Sequence, residues 1–160
     1  MGKKLVMDSA PLVSVLMNCF NGEKYLREAI DSIINQTYKN WELVFWDNQS
    51  TDKSKAIFDS YQDDRLKYYY APEHTDLGGG RANAFKYLYG DYIAVLDVDD
   101  IWLPTKLKKQ LKLFTDPDVG IVISDTLFFN ETDERILYDG EYPPEGDVFR
   151  ELLTGYFVSL

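Results

Sequence analysis

Cysteine is almost missing from this chain: Cys19 is the one cysteine in 160 residues. That excludes an intrachain disulfide framework and suits a reducing compartment. Cys19 itself lies in an apolar stretch and reads as inert packing. Histidine is equally scarce. His74 stands alone between Glu73 and Asp76, without a second histidine to build a zinc site, and reads as an exposed loop side chain. Basic charge is short as well, with 17 Lys and Arg against 27 Asp and Glu, a net charge of −10 and a pI near 4.5. A nucleic-acid partner is excluded, because neutralising phosphates needs a basic face; a nucleotide bridged by a metal is not. No apolar run approaches the length of a membrane span, so no integral membrane segment is expected. Lys3 and Lys4 precede only a short apolar patch before Asp8, which is no secretory signal. Met1-Gly2-Lys3-Lys4 lacks the Ser or Thr of a myristoylation signal.

What is present can build a core. Apolar residues make up 45% and aromatic residues 15%, a globular composition whose length fits a single domain, 1–160. Residues 12–17 are short, apolar and β-branched, and predict a buried strand. Asn21-Gly22 breaks it, with Asn21 placed to cap a helix over 23–36, where Leu26, Ala29, Ile30, Ile33 and Ile34 recur at helical spacing. Residues 41–46 predict a second strand and 47–52 a polar loop, in which Ser50 or Thr51 caps a helix carrying Ala56, Ile57 and Tyr61. Residues 66–70 predict a third strand, with Tyr68, Tyr69 and Tyr70 as alternating packing. Gly78-Gly79-Gly80 reads as a flexible loop into a helix through Arg81, Phe85 and Leu88, stopped at Gly90. It lacks the spacing of a Walker or dinucleotide loop. Residues 92–96 predict a fourth strand.

This alternation predicts an α/β fold: a mainly parallel sheet with helices on both faces and right-handed crossovers. Beyond it, Leu103, Leu107, Leu111 and Phe114 mark a helix to Asp116-Pro117, with Lys106, Lys108, Lys109 and Lys112 as a solvated face. A strand at 120–124 and a small hairpin, 126–129 with 135–138, follow. Asp147 caps a last short helix through Leu152 and Leu153. The final run Tyr156-Phe157-Val158-Ser159-Leu160 is apolar and strand-like with no turn after it, which reads as a domain cut short.

The chemistry gathers at Asp97-Val98-Asp99-Asp100, where an apolar strand runs straight into carboxylates. Like charges at that spacing repel, and burial raises their pKa. A hard divalent cation relieves both effects, because Mg²⁺ and Mn²⁺ prefer oxygen ligands. Sites of open α/β sheets lie at the carboxyl ends of strands, where these residues fall. The plainer reading is an acidic turn, with Asp100 capping the helix that begins near Pro104. Trp102 either covers a sugar or fills the core beneath this loop.

Four segments stand in order. Residues 13–26 give an opening strand and turn, and 32–43 the end of a first helix and a second strand. Asp47-Asn48-Gln49-Ser50-Thr51-Asp52 is an acidic loop, and residues 90–100 carry the acidic motif. At these separations the set resembles the nucleotide-binding half of inverting family 2 glycosyltransferases of the GT-A fold, over the chain up to about Phe114. The resemblance implies a GT-A (Rossmann-like) domain in which 10–114 bind a nucleotide sugar and 115–160 begin an incomplete acceptor-side part. It implies a nucleoside-diphosphate sugar donor, UDP-linked, a glycan or lipid-linked acceptor, and Mn²⁺ or Mg²⁺ as cofactor. Asn18 and Phe20, beside Cys19, would line the base pocket, and Asp47 would accept the uracil imide N–H. Arg81 would approach the base or a phosphate, Asp97 would meet the ribose, and Asp99 would ligate the metal. A cytoplasmic place, at most peripheral to the inner membrane face, and a setting in polysaccharide biosynthesis follow from the same resemblance.

There are departures. Asn18-Cys19 stands where the family often has Pro-Thr, Asn48 and Gln49 replace Asp and Gly of the loop, and Ala82 replaces an Asn beside the arginine. Losing the glycine at 49 restricts positive φ. Inversion needs a general base, and none is assigned: Asp125, Asp139, Glu141 and Glu145 read as solvated loop charges. The competing reading is a non-catalytic nucleotide-sugar-binding module. A nucleotidyltransferase lacks its basic loop after the first strand, and a phosphatase lacks its Thr after the nucleophile.

Overall fold

Every residue of the first strand, β1 (Val13–Cys19), is buried, as a strand covered on both faces of a parallel sheet must be. The computed structural model describes residues 10–130, 132–140 and 142–154, and they fall into two units, Met1–Lys109 and Gln110–Leu160.

In the first unit β1 pairs in parallel with β2 (Trp41–Asp47) on one side and with β4 (Tyr92–Val95) on the other. β3 (Leu66–Tyr70) pairs in parallel with β2, giving the order β3-β2-β1-β4. Register and the period of two set the faces. Leu16, Val44 and Trp46 pack on one face against Ala84 of helix α3 (Leu77–Ala84), with Tyr69, Tyr87 and Leu88 around them. Phe45 and Tyr68 point to the other face, where both meet Phe58 of α2 (Ser54–Asp59), with ring centroids 4.8 and 5.3 Å away. Helix α1 (Leu26–Ile34) buries Leu26, Ala29, Ile30 and Ile33, the stripe its spacing predicts.

The helix starts differ from expectation. Asn21 does not cap α1. It sits at φ 54° and its side chain accepts from the Thr51 N–H at 2.8 Å, tying the first loop to the second. Neither Ser50 nor Thr51 caps α2; Asp52 Oδ1 takes the Ser54 N–H at 2.9 Å instead. The three glycines are not a flexible loop but the first turn of α3, which Asp76 caps by accepting from the Gly79 N–H at 2.7 Å. A Cβ at Gly80 would stand 2.6 Å from Asn18 Oδ1, so a larger residue there would displace the Asn18 side chain. Gly90 is required by close approach: a Cβ would stand 2.5 Å from the Ser14 backbone nitrogen.

Helix α4 (Lys106–Gln110) is shorter than predicted and gives way to a 3₁₀ turn, Leu111–Thr115. In the second unit β5 (Leu127–Phe129) and β6 (Glu134–Ile136) form the expected antiparallel hairpin, and α5 (Phe149–Thr154) follows Asp147, whose Oδ1 accepts from the Phe149 N–H at 3.3 Å. Residues 120–124 form no strand. Ile121 is half exposed and the run enters neither sheet, and β-branched sequence alone makes no ladder. The apolar run 156–160, Gly155 and Glu141 lie outside the described residues. No helix among the described residues is long and apolar enough to cross a membrane.

Candidate functional site

The C-terminal ends of β1, β2 and β4 open on a cavity of about 400 Å³ in the first unit. Four of the six residues expected from the sequence line it: Asn18, Phe20, Asp97 and Asp99. Asn48, His74, Thr75, Asp76, Leu77 and Val98 complete the wall, and Asp47 and Arg81 are not part of it.

Strand parity explains Asp47. It pairs with Cys19 and follows Phe45 on the α2 face, so its carboxylate turns into the core. It is 1% exposed, with Oδ1 accepting from the Ser50 N–H at 2.7 Å and Oδ2 from the Tyr68 hydroxyl at 2.5 Å. Each oxygen accepts one bond within the fold, and the group is buried away from the cavity wall. Burial, then the bond to Asp47, push the Tyr68 phenol well above its ordinary range.

Asn48, one residue on, turns to the cavity. Its Nδ2 donates to the Thr75 carbonyl at 2.7 Å, and its Oδ1 accepts from the Thr75 N–H at 3.2 Å. The Asn48 carbonyl lies 2.8 Å from His74 Nδ1. A carbonyl can only accept, so Nδ1 donates. The imidazole packs on Phe20, ring centroids 4.4 Å apart. His74 is exposed, as expected, but on the cavity wall rather than in an idle loop. Strand parity could have found Asn48: it shares the parity of Asn18 and Trp46 across the β1–β2 register.

At the β4 side, Leu96 is anchored to the sheet, its N–H donating to the Leu16 carbonyl at 3.0 Å. The chain then turns through Asp97, closed by Asp100 N–H to the Asp97 carbonyl at 3.1 Å. Arg81 of α3 donates to Asp97 Oδ1 at 2.5 Å, and both side chains are partly buried. Arg81 thus reaches the site through Asp97. Asp99 is exposed on the wall. Burial first, then Asp99 and Asp97, raise the Asp100 pKa, and burial lowers that of Lys106 against the pull of Asp100. Trp102 is buried beneath the loop, with Lys106 Nζ 5.4 Å from its ring centroid, so core filling is its role here.

Two polar atoms at the site, Asn18 Oδ1 and Arg81 Nε, are buried without a hydrogen-bond partner. Such atoms carry a penalty that a ligand can relieve. Among the described residues no three His, Cys, Asp or Glu side chains gather into a metal cluster. An ion here would have Asp99 as its protein ligand and take its remaining oxygens from elsewhere. That fits Mg²⁺ or Mn²⁺, which are held by one or two carboxylates together with phosphates and water.

The family described as Glycosyl transferase family 2 matches residues 14–156. An uncharacterized glycosyltransferase of Methanocaldococcus jannaschii is 36% identical over 152 residues, 92% of this chain and 51% of that protein. The UDP-Glc:alpha-D-GlcNAc-diphosphoundecaprenol beta-1,3-glucosyltransferase of Escherichia coli is 33% identical over 119 residues, 74% of this chain and 47% of that one. The chain therefore spans about half the length of these curated relatives. Among solved structures, S. aureus TarS 1-349 in complex with UDP-GlcNAc superposes with a TM-score of 0.61 at 28% identity, over 66% of this chain and 31% of that one. A mannosyltransferase from Pyrobaculum calidifontis in complex with GDP-Man and Mn²⁺ gives 0.65 at 24% identity, over 71% and 35%, and shares the fold.

Proposed function

The chain belongs to glycosyl transferase family 2, and from that premise we propose that its cavity binds a nucleoside-diphosphate sugar, UDP-linked, for metal-assisted, inverting transfer to a glycan or lipid-linked acceptor. One arrangement carries the reading. Phe20, Asn48 and His74 line the cavity from the β1, β2 and β3 ends, and Asp97 and Asp99 line it from the β4 end. An aromatic and polar wall on one side and carboxylates on the other match the base and the diphosphate of such a donor. The UDP-sugar relatives support UDP.

The residues take these parts. Phe20 packs the base, with His74 closing the notch behind it. Asn48 and Asn18 supply polar edges, and Asp47 holds the Asn48–Ser50 loop rather than the base. Asp97, held by Arg81, would face the ribose, and Asp99 would hold Mn²⁺ or Mg²⁺ for the diphosphate. A bound ion of this kind offsets the charge that builds on the leaving nucleoside diphosphate. No described carboxylate is assigned as general base. Asp125 accepts from the Thr126 N–H at 2.8 Å and the Tyr138 N–H at 3.3 Å, bonds that hold the hairpin.

Calorimetric titration with UDP, with and without Mn²⁺, tests the reading. Mn²⁺-dependent binding that disappears in Asp99→Ala is expected. A folded chain that binds none of UDP, GDP and dTDP, with or without metal, overturns it.

A further inference from the structure

Gln36 follows α1 and is 0% exposed, yet its carboxamide makes three bonds. Nε2 donates to the Ser32 carbonyl at 3.1 Å and to the Leu103 carbonyl at 2.9 Å, and Oε1 accepts from the Leu107 N–H at 3.2 Å. Its neighbour Thr37 donates its N–H to the Pro104 carbonyl at 2.8 Å. The C-terminal end of α1 therefore holds the segment 103–107 by three bonds across a sequence gap of about seventy residues.

That segment is the far anchor of the carboxylate loop. The near anchor is Leu96, buried and bonded to β1. Between the two anchors lie only residues 97–102, with Trp102 buried. The turn that leads into α1 runs close to the loop: a Cβ on Gly22 would stand 3.0 Å from Cys19 Sγ and 3.2 Å from Val98 Cγ2, the side chain between Asp97 and Asp99. Gly22 also accepts the Leu26 N–H at 3.0 Å, so the contact lies where α1 begins. The residues just before and just after α1 thus both lie near the segment 97–107.

We propose that Gln36 is a positioning residue for the divalent-ion site, fixing through segment 103–107 where Asp99 stands; this rests on the donor reading above. Carboxylate placement matters for such an ion, because Mg²⁺ and Mn²⁺ keep near-octahedral geometry and tolerate little displacement of a ligand oxygen. Gln36→Met keeps the length but removes the acceptor of the Leu107 N–H and the side-chain donor to the Ser32 and Leu103 carbonyls, the latter still accepting from the Lys106 N–H at 3.0 Å. Gln36→Glu keeps the acceptor for Leu107 but sets carboxylate oxygen against carbonyl oxygen at Leu103. Each loosens the far anchor while leaving the cavity wall its own residues.

The readout is the ratio of UDP affinity with Mn²⁺ to that without it, measured by calorimetry on the folded chain. Both Gln36 variants are expected to lower that ratio at least tenfold, with metal-free UDP affinity within twofold of wild type. Gly22→Ala, which pushes on Val98 from the other end, is expected to give the same signature. Gln36→Asn replaces any Gln36 variant that does not fold. An unchanged ratio in a folded variant overturns the proposal, and so does equal loss of UDP binding with and without Mn²⁺, which marks general damage. A wild-type chain that shows no Mn²⁺-dependent UDP binding sinks the donor reading first, before any variant is made.

Discussion

Arg81 donates to Asp97 at 2.5 Å, so the first carboxylate of the acidic motif is already matched by a cation of the fold while the second, Asp99, faces the cavity. The two aspartates therefore answer differently to substitution. Asp99→Asn removes an exposed charge and is expected to leave the melting temperature unchanged, while Mn²⁺-dependent UDP affinity falls at least tenfold. Asp97→Asn breaks a partly buried ion pair and is expected to lower stability by about 1 kcal/mol, near the upper end for such pairs, and to weaken UDP with and without metal. Thermal melts beside calorimetry separate the two. Equal behaviour of both variants contradicts this division.

Buried Asp47 and half-buried Tyr68 form a pair that holds the loop behind the cavity. Asp47→Ala leaves the Ser50 N–H and the Tyr68 hydroxyl without their acceptor and is expected to destabilise the chain by about 3 kcal/mol. Tyr68→Phe orphans only one oxygen of Asp47, with an expected loss of about 1.5 kcal/mol. Urea denaturation gives both values. The reverse order argues that the carboxylate is not fixed through both of its oxygens.

The strands of the first unit could be read because their signal is local: apolar β-branched runs become strands once parallel neighbours cover them, and β1 to β4 fall where the pattern places them. The carboxylates at the end of β4 were legible for the same reason. Asp47 was legible as a carboxylate at the end of β2 but not in its direction, because one step along a strand exchanges core for cavity. His74 was hidden because its place depends on the Asn48 carbonyl and the Phe20 ring, contacts of 26 and 54 residues' separation that no local pattern encodes. Gln36 was hidden for a similar reason, as its partners lie on a segment far along the chain. The run 120–124 has strand composition but pairs with no described strand, and composition does not supply that pairing.

Gly90 donates its N–H to Ser14 Oγ at 2.7 Å and lies against the β1 backbone. A Cβ there would stand 2.5 Å from the Ser14 nitrogen and 2.8 Å from the Leu12 carbonyl, atoms of a buried strand that cannot yield. Gly90→Ala is expected to cost about 3 kcal/mol, the upper range for overpacking. Gly120, around which a Cβ would meet nothing within 4 Å, is the matched control and its Ala variant is expected to change stability by less than about 0.5 kcal/mol. Chemical denaturation of the pair isolates close approach from the intrinsic preference of alanine over glycine.

Tyr61 links α1 to the segment after α2, its single hydroxyl proton lying within reach of both Asp31 Oδ1 at 2.8 Å and the Arg27 carbonyl at 3.1 Å. Burial first, then the bond and the charge of Asp31, push its pKa up to about 12. The folded chain thus holds the phenolic proton more tightly than the unfolded chain, whose tyrosines ionise near pH 10. Where the folded state binds more protons, stability falls as pH rises. The contribution of neutral Tyr61 is therefore complete below about pH 10 and is lost between about pH 10 and pH 12. Tyr61→Phe removes the group that titrates, so its urea midpoint is expected to start lower at pH 8 and to decline less steeply between pH 10 and pH 12 than that of the wild type. Tyr68 is also shifted upward and keeps part of the slope in the variant. Parallel midpoint curves for the two proteins over that window would mean that the Tyr61 hydroxyl gains nothing from Asp31 in the folded state.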